Sequence, residues 1–251
     1  MLAAERRDYL LARLQADGKL VAKDAAAELG IAEDSIRRDL REMAAAGLCQ
    51  RVYGGALPIS PAAADYATRT TVAASSKERV ARAAVTLIRP GATVLLDGGT
   101  TALAVTAALP RDLTATIVTH SPTVAAALVS HPSVEVYVLG GRLFKHSAVT
   151  SGAATAEAAR RITADLFLLG VTGVHHEAGL TTGDADEAAM KRTLASRAAD
   201  TFVLASSEKI GAASPFEVLP ASDVSGIITD ADPSHPVLIE LSRTTTPIRY
   251  A

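Results

Sequence analysis

The chain is poor in the residues that usually announce a chemistry. Its 251 residues contain a single cysteine, Cys49, which excludes an internal disulfide and any cysteine-rich zinc site. Tryptophan is absent and aromatic residues make up 4%, so stacking platforms for single strands or sugar rings are scarce. Neither sign of charge dominates: 25 Lys and Arg stand against 27 Asp and Glu, and a net charge of −2 does not announce nucleic acid. No apolar run is long enough to span a bilayer, and the start MLAAERRDYL is charged almost at once, unlike a signal peptide. A cytoplasmic protein with no membrane partner is the expectation, and no cofactor is implied. Hydrophobic residues at 49% and charged residues at 21% describe an ordinary globular interior, in one large domain or in a small one followed by a medium one.

The stretch Ile31 to Leu48, IAEDSIRRDLREMAAAGL, organises what is present. Ile36, Leu40 and Met43 recur at helical spacing and form one apolar stripe, while Ser35, Arg37, Arg38 and Arg41 fall mostly off it. Gly47 is a natural stop, and Gly30 supplies a tight turn before the helix. Upstream, residues 4 to 16 read as an amphipathic helix and Lys23 to Leu29 as a second. Downstream, Leu48 to Tyr53 reads as a short strand running into a Gly54-Gly55 tip. Three helices and a wing in residues 1–57 make a winged helix-turn-helix, whose third helix enters the DNA major groove. The first 57 residues hold nine basic and nine acidic side chains. Binding to a duplex therefore has to rest on local clustering of arginines, with the acids turned elsewhere. Within the helix, Glu33 and Arg37, Asp34 and Arg38, and Arg38 and Glu42 are each spaced for weak ion pairs of roughly 0.2–0.5 kcal/mol.

The run from Gly18 to Gly55 resembles the N-terminal domain of the DeoR-type repressors of bacterial sugar metabolism. The matching pieces are Gly18-Lys19, Leu29-Gly30, DSIRRDL at Asp34 to Leu40, Gly47 and RVYGGA at Arg51 to Ala56. The resemblance implies double-stranded operator DNA as a partner, with Ser35, Arg37 and Arg38 as base and phosphate contacts. Lys23, Arg41, Arg51 and Tyr53 complete the DNA-binding set. Val21 and Ala32 depart from the family pattern, which has Ser or Thr as helix N-caps at those positions.

Residues 58–76 carry two prolines and many small residues. They read either as an interdomain linker or as an extended arm packed on the second domain. From Lys77 to the end, strands rich in Val, Ile and Leu alternate with amphipathic helices. The helices fall at 77–88, 102–109, 122–130, 153–162 and 185–199. The strands fall at 92–96, 114–119, 134–139, 166–169, 201–205 and, as the last, near 225–229. This is the texture of an α/β domain with a mostly parallel sheet covered on both faces. In such sheets ligands collect at the carboxyl ends of the strands. Asp97-Gly98-Gly99-Thr100-Thr101 leaves a strand and opens a helix, a cradle of amides and hydroxyls suited to phosphate. Thr119-His120-Ser121 and Gly140-Gly141 sit at two further strand ends.

These loops extend the resemblance over nearly the whole chain. LLDGGTT, VTHS, VLGG, LFLLGVTGV, GLTT, EAAMKR at Glu187 to Arg192 and SSEKIG fall in the order of the sensing domain of the same repressors. That domain is similar in fold to ribose-5-phosphate isomerase. The implied effector is a phosphorylated sugar, with Asp97 and Gly98 to Thr101 at the phosphate, Thr119 and Ser121 on sugar hydroxyls, and Gly140 and Gly141 beside them. Lys191 and Lys209 would supply charge. Thr172, Ser206 and Glu208 depart from the residues common in the family.

The isomerase likeness makes a sugar-phosphate enzyme the rival reading. Such an enzyme needs a carboxylate within reach of the proton it moves. Gly170, Val171, Thr172 and Gly173 stand where the isomerases place acids, and none of them takes a proton at neutral pH. Asp184, Asp186 and Glu187 open a helix, where acids serve the cap and the dipole. No catalytic residue is assigned. His175-His176-Glu177 is read as a loop and not as a metal site, since adjacent histidines point apart on most backbones. The reading is a two-domain repressor of a sugar-utilisation operon, without metal or enzymatic activity. It works as a homo-oligomer, because one winged helix covers too few bases for genomic specificity.

Overall fold

Leu10 and Leu14 lie one helical turn apart on α1 (Ala3–Asp17) and are fully enclosed, which fixes the inward face of the first helix. In the computed structural model, which describes residues 2–251, they pack with Ala25 and Ala26 of α2 (Ala22–Leu29) and with Ile36, Leu40 and Met43 of α3 (Glu33–Ala45). Gly18 and Gly30 close α1 and α2 in the left-handed conformation, with φ of 69° and 64°. The wing is a three-stranded sheet in which β3 (Gly55–Leu57) lies between β1 (Leu20–Val21) and β2 (Gln50–Val52). Strand β1 is too short to leave a pattern in the sequence, and it explains the missing cap at Val21. The Ala22 amide donates to the Gly54 carbonyl at 2.8 Å, so the wing satisfies the start of α2 where a hydroxyl otherwise would. Gly55 allows the close approach of these strands: a Cβ there would sit 1.8 Å from the Leu20 carbonyl oxygen.

Residues 58–76 form a structured arm packed on the second domain. Ile59 makes a parallel bridge with Ala213. Ser60 caps a 3₁₀ turn at Pro61–Ala63, and Asp65 caps α4 (Tyr66–Arg69) by accepting from the Thr68 amide at 2.8 Å. Ala73, at φ 49°, turns the chain into α5 (Ala74–Val85). Ser60, Ala62, Arg69 and Ser76 are all buried.

The second domain is built on seven parallel strands. In chain order they are β4 (Thr93–Leu96), β5 (Ala115–Thr119), β6 (Val134–Val138), β9 (Ala164–Gly170), β12 (Ala198–Ala205), β14 (Gly226–Thr229) and β15 (Ile248–Tyr250). Their order across the sheet is β15-β14-β12-β9-β4-β5-β6. Alternate residues feed two cores. Val94, Leu96, Ile117, Leu168 and Leu204 pack under α5, α6 (Thr100–Ala108) and α7 (Pro122–Leu128). Leu95, Phe167, Leu169 and Val203 pack under α8 (Ala153–Arg160), α9 (Ala185–Ala195) and α10 (Pro236–Ser242). Two small antiparallel elements are not anticipated by the sequence: the pair β7 (Arg142–Phe144) and β8 (Val149–Ser151), and a sheet of β10 (Gly173–His175), β11 (Gly179–Thr182) and β13 (Phe216–Leu219). The last strand is β15, not the segment near 225–229, which is β14. Among the described residues no helix is long and apolar enough to cross a membrane.

Candidate effector and DNA sites

On α3, Arg37, Arg38 and Arg41 are exposed and lie opposite the buried Ile36, Asp39, Leu40 and Met43. Two of the acids on the same helix are engaged by α1. Asp39 is held by Arg6 of α1, whose Nη2 donates to Oδ1 at 3.1 Å, and Glu42 by Arg7 at 2.8 Å. Arg13 takes both Asp17 and Glu28. Of the three ion pairs that spacing allows within α3, only Glu33 with Arg37 forms, at 2.7 Å. Arg38, Arg41, Arg51 and Lys23 therefore make no ion pair among the described residues, and all four are exposed. Tyr53 stands fully out at the wing tip, 106% exposed, and Ser35 is half-buried at the start of α3. The local clustering that a neutral domain needs is helped by pairing Asp39, Glu42 and Glu28 with arginines of α1, which leaves Arg38 and Arg41 of α3 without a carboxylate.

In the second domain Asp97, at the end of β4, is completely buried and has no oxygen to spare. Oδ1 accepts from His120 Nε2 and the Gly98 amide, each at 2.8 Å, and Oδ2 from the Gly170 amide at 2.8 Å and Lys191 Nζ at 2.5 Å. Burial alone would raise its pKa, but the Lys191 charge and the His120 hydrogen bond outweigh that and hold the carboxyl far below the usual range. Asp97 is thus the pin that ties β4, β5, β9 and α9 together, and it lies behind the lining of the cavity described below. Lys191 is equally buried, bonded to Asp97 and to Glu187 at 3.1 Å, and these carboxylates raise its pKa against the effect of burial. Its charge is shared with Asp97 and Glu187, and it also lines that cavity.

Around this pin the strand ends enclose a small cavity lined by Gly98, Gly99, Thr100, Thr101, Lys191 and Lys209, a grouping expected from the sequence. Gly98 is required by space, since a Cβ would sit 2.1 Å from Val149 Cγ1. Gly99, at φ 95°, is the N-cap of α6 and provides no side chain, so the first amides of that helix face the cavity uncapped. Lys209 Nζ donates to Thr101 Oγ1 and to the Leu204 carbonyl, both at 3.0 Å. Burial lowers its pKa to about 8, and it makes no ion pair among the described residues.

Three further lining residues, Ala62, Arg69 and Lys77, come from the arm and its junction with α5. Sequence reasoning missed them because isolated cations in a small-residue stretch look solvated. Arg69 is 8% exposed; Nη2 donates to the His146 carbonyl at 3.2 Å, and Nε is buried without a partner. Lys77 Nζ donates to the carbonyls of Arg69 and Val72 at 2.6 and 2.5 Å, which fixes the turn that presents Arg69. The enclosed free volume is about 20 Å³, room for roughly one water molecule.

Thr119, Ser121, Gly140 and Gly141 lie off this cavity, a correction with a local cause. Thr119 Oγ1 accepts from the Ser121 amide at 3.1 Å. Ser121 Oγ caps α7 and donates to the Ala148 carbonyl at 3.1 Å. The Gly140 carbonyl accepts from Thr155, and a Cβ on Gly141 would meet Thr155 Oγ1 at 2.0 Å. Capping and close packing occupy these groups.

The histidines do not point apart: the rings of His175 and His176 are 4.3 Å apart at 33°, and their donors and Glu177 lie within 4.8 Å of one another. His175 Nδ1 already accepts from the amides of Glu177 and Ala178, which leaves its proton on Nε2. A metal-binding histidine needs the opposite arrangement, with its second nitrogen donating.

A winged helix upstream and an enclosed cationic cavity downstream define a ligand-responsive DNA-binding protein. Comparison with known proteins agrees. Residues 6–62 match the DeoR-like helix-turn-helix domain and residues 72–231 the DeoR C-terminal sensor domain. The chain is similar to the putative aga operon transcriptional repressor of Escherichia coli O157:H7, at 30% identity over 90% of this chain and 86% of that one. It is also similar to the transcriptional regulator GlpR of Haloferax volcanii, at 32% identity over 92% and 91%. The glycerol-3-phosphate regulon repressor of Escherichia coli K12 matches at 27% identity over 93% of each. Among solved structures, ribose 5-phosphate isomerase A of Methanocaldococcus jannaschii aligns over 53% of each chain with a TM-score of 0.40 and 18% identity. The chain belongs to the DeoR family and is a DNA-binding transcriptional repressor.

Proposed function

We propose that the cavity binds the phosphate of a phosphorylated sugar or related metabolite, and that binding releases the repressor from the operator of a sugar-utilisation operon. One observation carries this reading. Arg69 and Lys209 are buried without a carboxylate partner beside the uncapped amides of α6. Buried cations are costly unless compensated, and an anion is the missing compensation. The names of the relatives, which include a glycerol-3-phosphate regulon repressor, support the same class of effector.

A sugar phosphate does not fit in 20 Å³, so its entry displaces part of the wall. The part of the wall that lies outside the sensor-domain sheet and its covering helices is the arm carrying Ala62 and Arg69, which is also the tether of the winged helix. Ligand binding and domain placement are coupled through that displacement, by the difference in affinity between the two arrangements. Arg37, Arg38, Arg41 and Arg51, with Lys23, Ser35 and Tyr53, make the DNA surface of a cytoplasmic regulator. A homo-oligomer supplies the second half-site.

The enzyme reading lacks a base. Residues 170–173 carry no acid, and the one carboxylate on the cavity wall, Glu187, is bound by Ser147 at 2.8 Å and by Lys191. The test is titration of phosphorylated sugars into the repressor on its own upstream promoter fragment. Release by one of them, lost in Arg69→Ala, supports the reading. Failure of every sugar phosphate to bind or release removes it.

A further inference from the structure

Glu208 sits in the partition between the effector cavity and a second, larger space. That space is a cleft of about 610 Å³ between the winged helix and the sensor domain, lined on one side by Gln15 to Lys19 and on the other by Glu208, Ile210 and His235. Glu208 neighbours Lys209 in the 3₁₀ turn Ser207–Lys209. Its Oε1 accepts from Ser206 Oγ at 2.7 Å, and its Oε2 is buried with no partner. The carboxylate is held by a neutral hydroxyl alone, although its field raises the pKa of both Lys77 and Lys209 against the effect of burial. On the far side of the cleft, Asp17 is taken by Arg13, and on the near side Glu240 is taken by Arg243. Lys19 of the winged helix, which is exposed, makes no ion pair among the described residues.

We infer that Glu208 is a built-in counter-anion of the empty effector cavity, displaced by the effector towards Lys19. The inference rests on the anion-binding reading above. Without an anion, Glu208 stays on the side of Lys77 and Lys209, because they are the uncompensated charges within its reach. A bound phosphate neutralises those lysines and repels the carboxylate, which has one oxygen without a hydrogen bond to lose. The cation across the cleft is Lys19, in the turn between α1 and β1. A Glu208–Lys19 pair draws that turn towards the sensor domain and reorients the wing and α3 with it. Glu208 thereby sets how tightly the cavity holds an anion, and Lys19 reports its occupancy.

The experiment uses the full chain, with inorganic phosphate as the probe at constant ionic strength. Phosphate binding is followed by calorimetry, and DNA release by anisotropy of a labelled upstream promoter fragment. Glu208→Gln and Glu208→Ser are expected to bind phosphate about tenfold more tightly, since a like charge is gone from the partition. Both are expected to lose the dependence of DNA affinity on phosphate. Lys19→Met is expected to bind phosphate more weakly than the unaltered chain, because the pair formed only in the bound state is gone, and to lose the same dependence. The double variant with Glu208→Gln is expected to show no further loss of that dependence. Two Glu208 variants guard against one failing to fold, which melting curves report. Unchanged phosphate affinity in both Glu208 variants, or a normal response in Lys19→Met, overturns the inference while leaving the anion site standing. If the unaltered chain binds neither phosphate nor any sugar phosphate, the effector reading falls, and the inference with it.

Discussion

The carboxylate of Asp97 and the ammonium of Lys191, 94 residues apart in sequence, meet at 2.5 Å with neither exposed to solvent. The pair links the first strand of the sensor domain to its long helix α9, beneath the cavity. Removing one partner leaves the other charge buried, and that costs more than the pair itself contributes.

Asp97→Asn is therefore expected to destabilise the sensor domain by about 3–5 kcal/mol in denaturant melts. Lys191→Met added to it recovers part of the loss. The folded pKa of Asp97 lies below its ordinary 3.8, so its stabilisation is fully present above pH 4 or so and fades as pH falls through the folded value. Asp97→Asn should flatten the acid limb of the stability curve. An unchanged limb means that other carboxylates govern acid unfolding.

Lys209 sets a second pH dependence. With a folded pKa of about 8 against an ordinary 10.5, the unfolded chain holds the proton that the folded chain releases across this window. Its contribution to stability therefore rises with pH there. Anion binding runs the other way: affinity for a phosphorylated ligand falls as pH rises through 8, and Lys209→Arg removes the fall because arginine stays charged. Ligand titrations at pH 7 and 9 decide the matter.

Arg38 is the arginine of α3 with neither a carboxylate nor a backbone partner. Arg38→Ala is expected to weaken operator binding by about 1–3 kcal/mol and, if the contact is to phosphate, to reduce the salt slope by about one. Affinity that does not change in gel shifts across salt removes this side chain from the interface. Arg6→Ala acts differently: it strands the buried Asp39, lowering the melting temperature before it touches DNA contacts.

Ala73 holds a left-handed backbone at φ 49° where the arm joins α5. Ala73→Gly relieves that strain, offset in part by the greater freedom of glycine in the unfolded chain, for a net gain of roughly 0.5–1 kcal/mol. Ala73→Val is expected to lose stability. A melting temperature that moves in the opposite direction in either variant contradicts the strain.

Much of the fold was legible in the sequence where a local signal decided the outcome. The stripe Ile36, Leu40, Met43 and the turns at Gly30 and Gly54 specify the winged helix, and the Val, Ile and Leu strands specify a sheet buried on both faces. The Gly98-Gly99-Thr100-Thr101 loop reached the cavity because a strand end followed by an open helix start leaves its amides nowhere else to point. Thr119 and Ser121 did not, because local backbone takes each hydroxyl before a ligand can: Thr119 Oγ1 accepts from the Ser121 amide and Ser121 Oγ caps α7. Arg69 and Lys77 were hidden for the opposite reason. Their burial is created by a domain 70 or more residues long folding beneath them, and nothing in RTTVAASSK records it. Strands β1, β7 and β10 are two or three residues each, set by their partners and not by periodicity.

The near-absence of free space at the strand ends has a consequence for dose response. On the proposed coupling, only the fraction of molecules with a loosened arm takes the ligand, so the apparent dissociation constant is the intrinsic one divided by that fraction. Substitutions along residues 58–76 that tighten or slacken the arm's seating will shift the concentration at which the gene is switched. Apart from Ala62 and Arg69, which line the cavity, they do so without altering a group of the proposed effector or DNA sites.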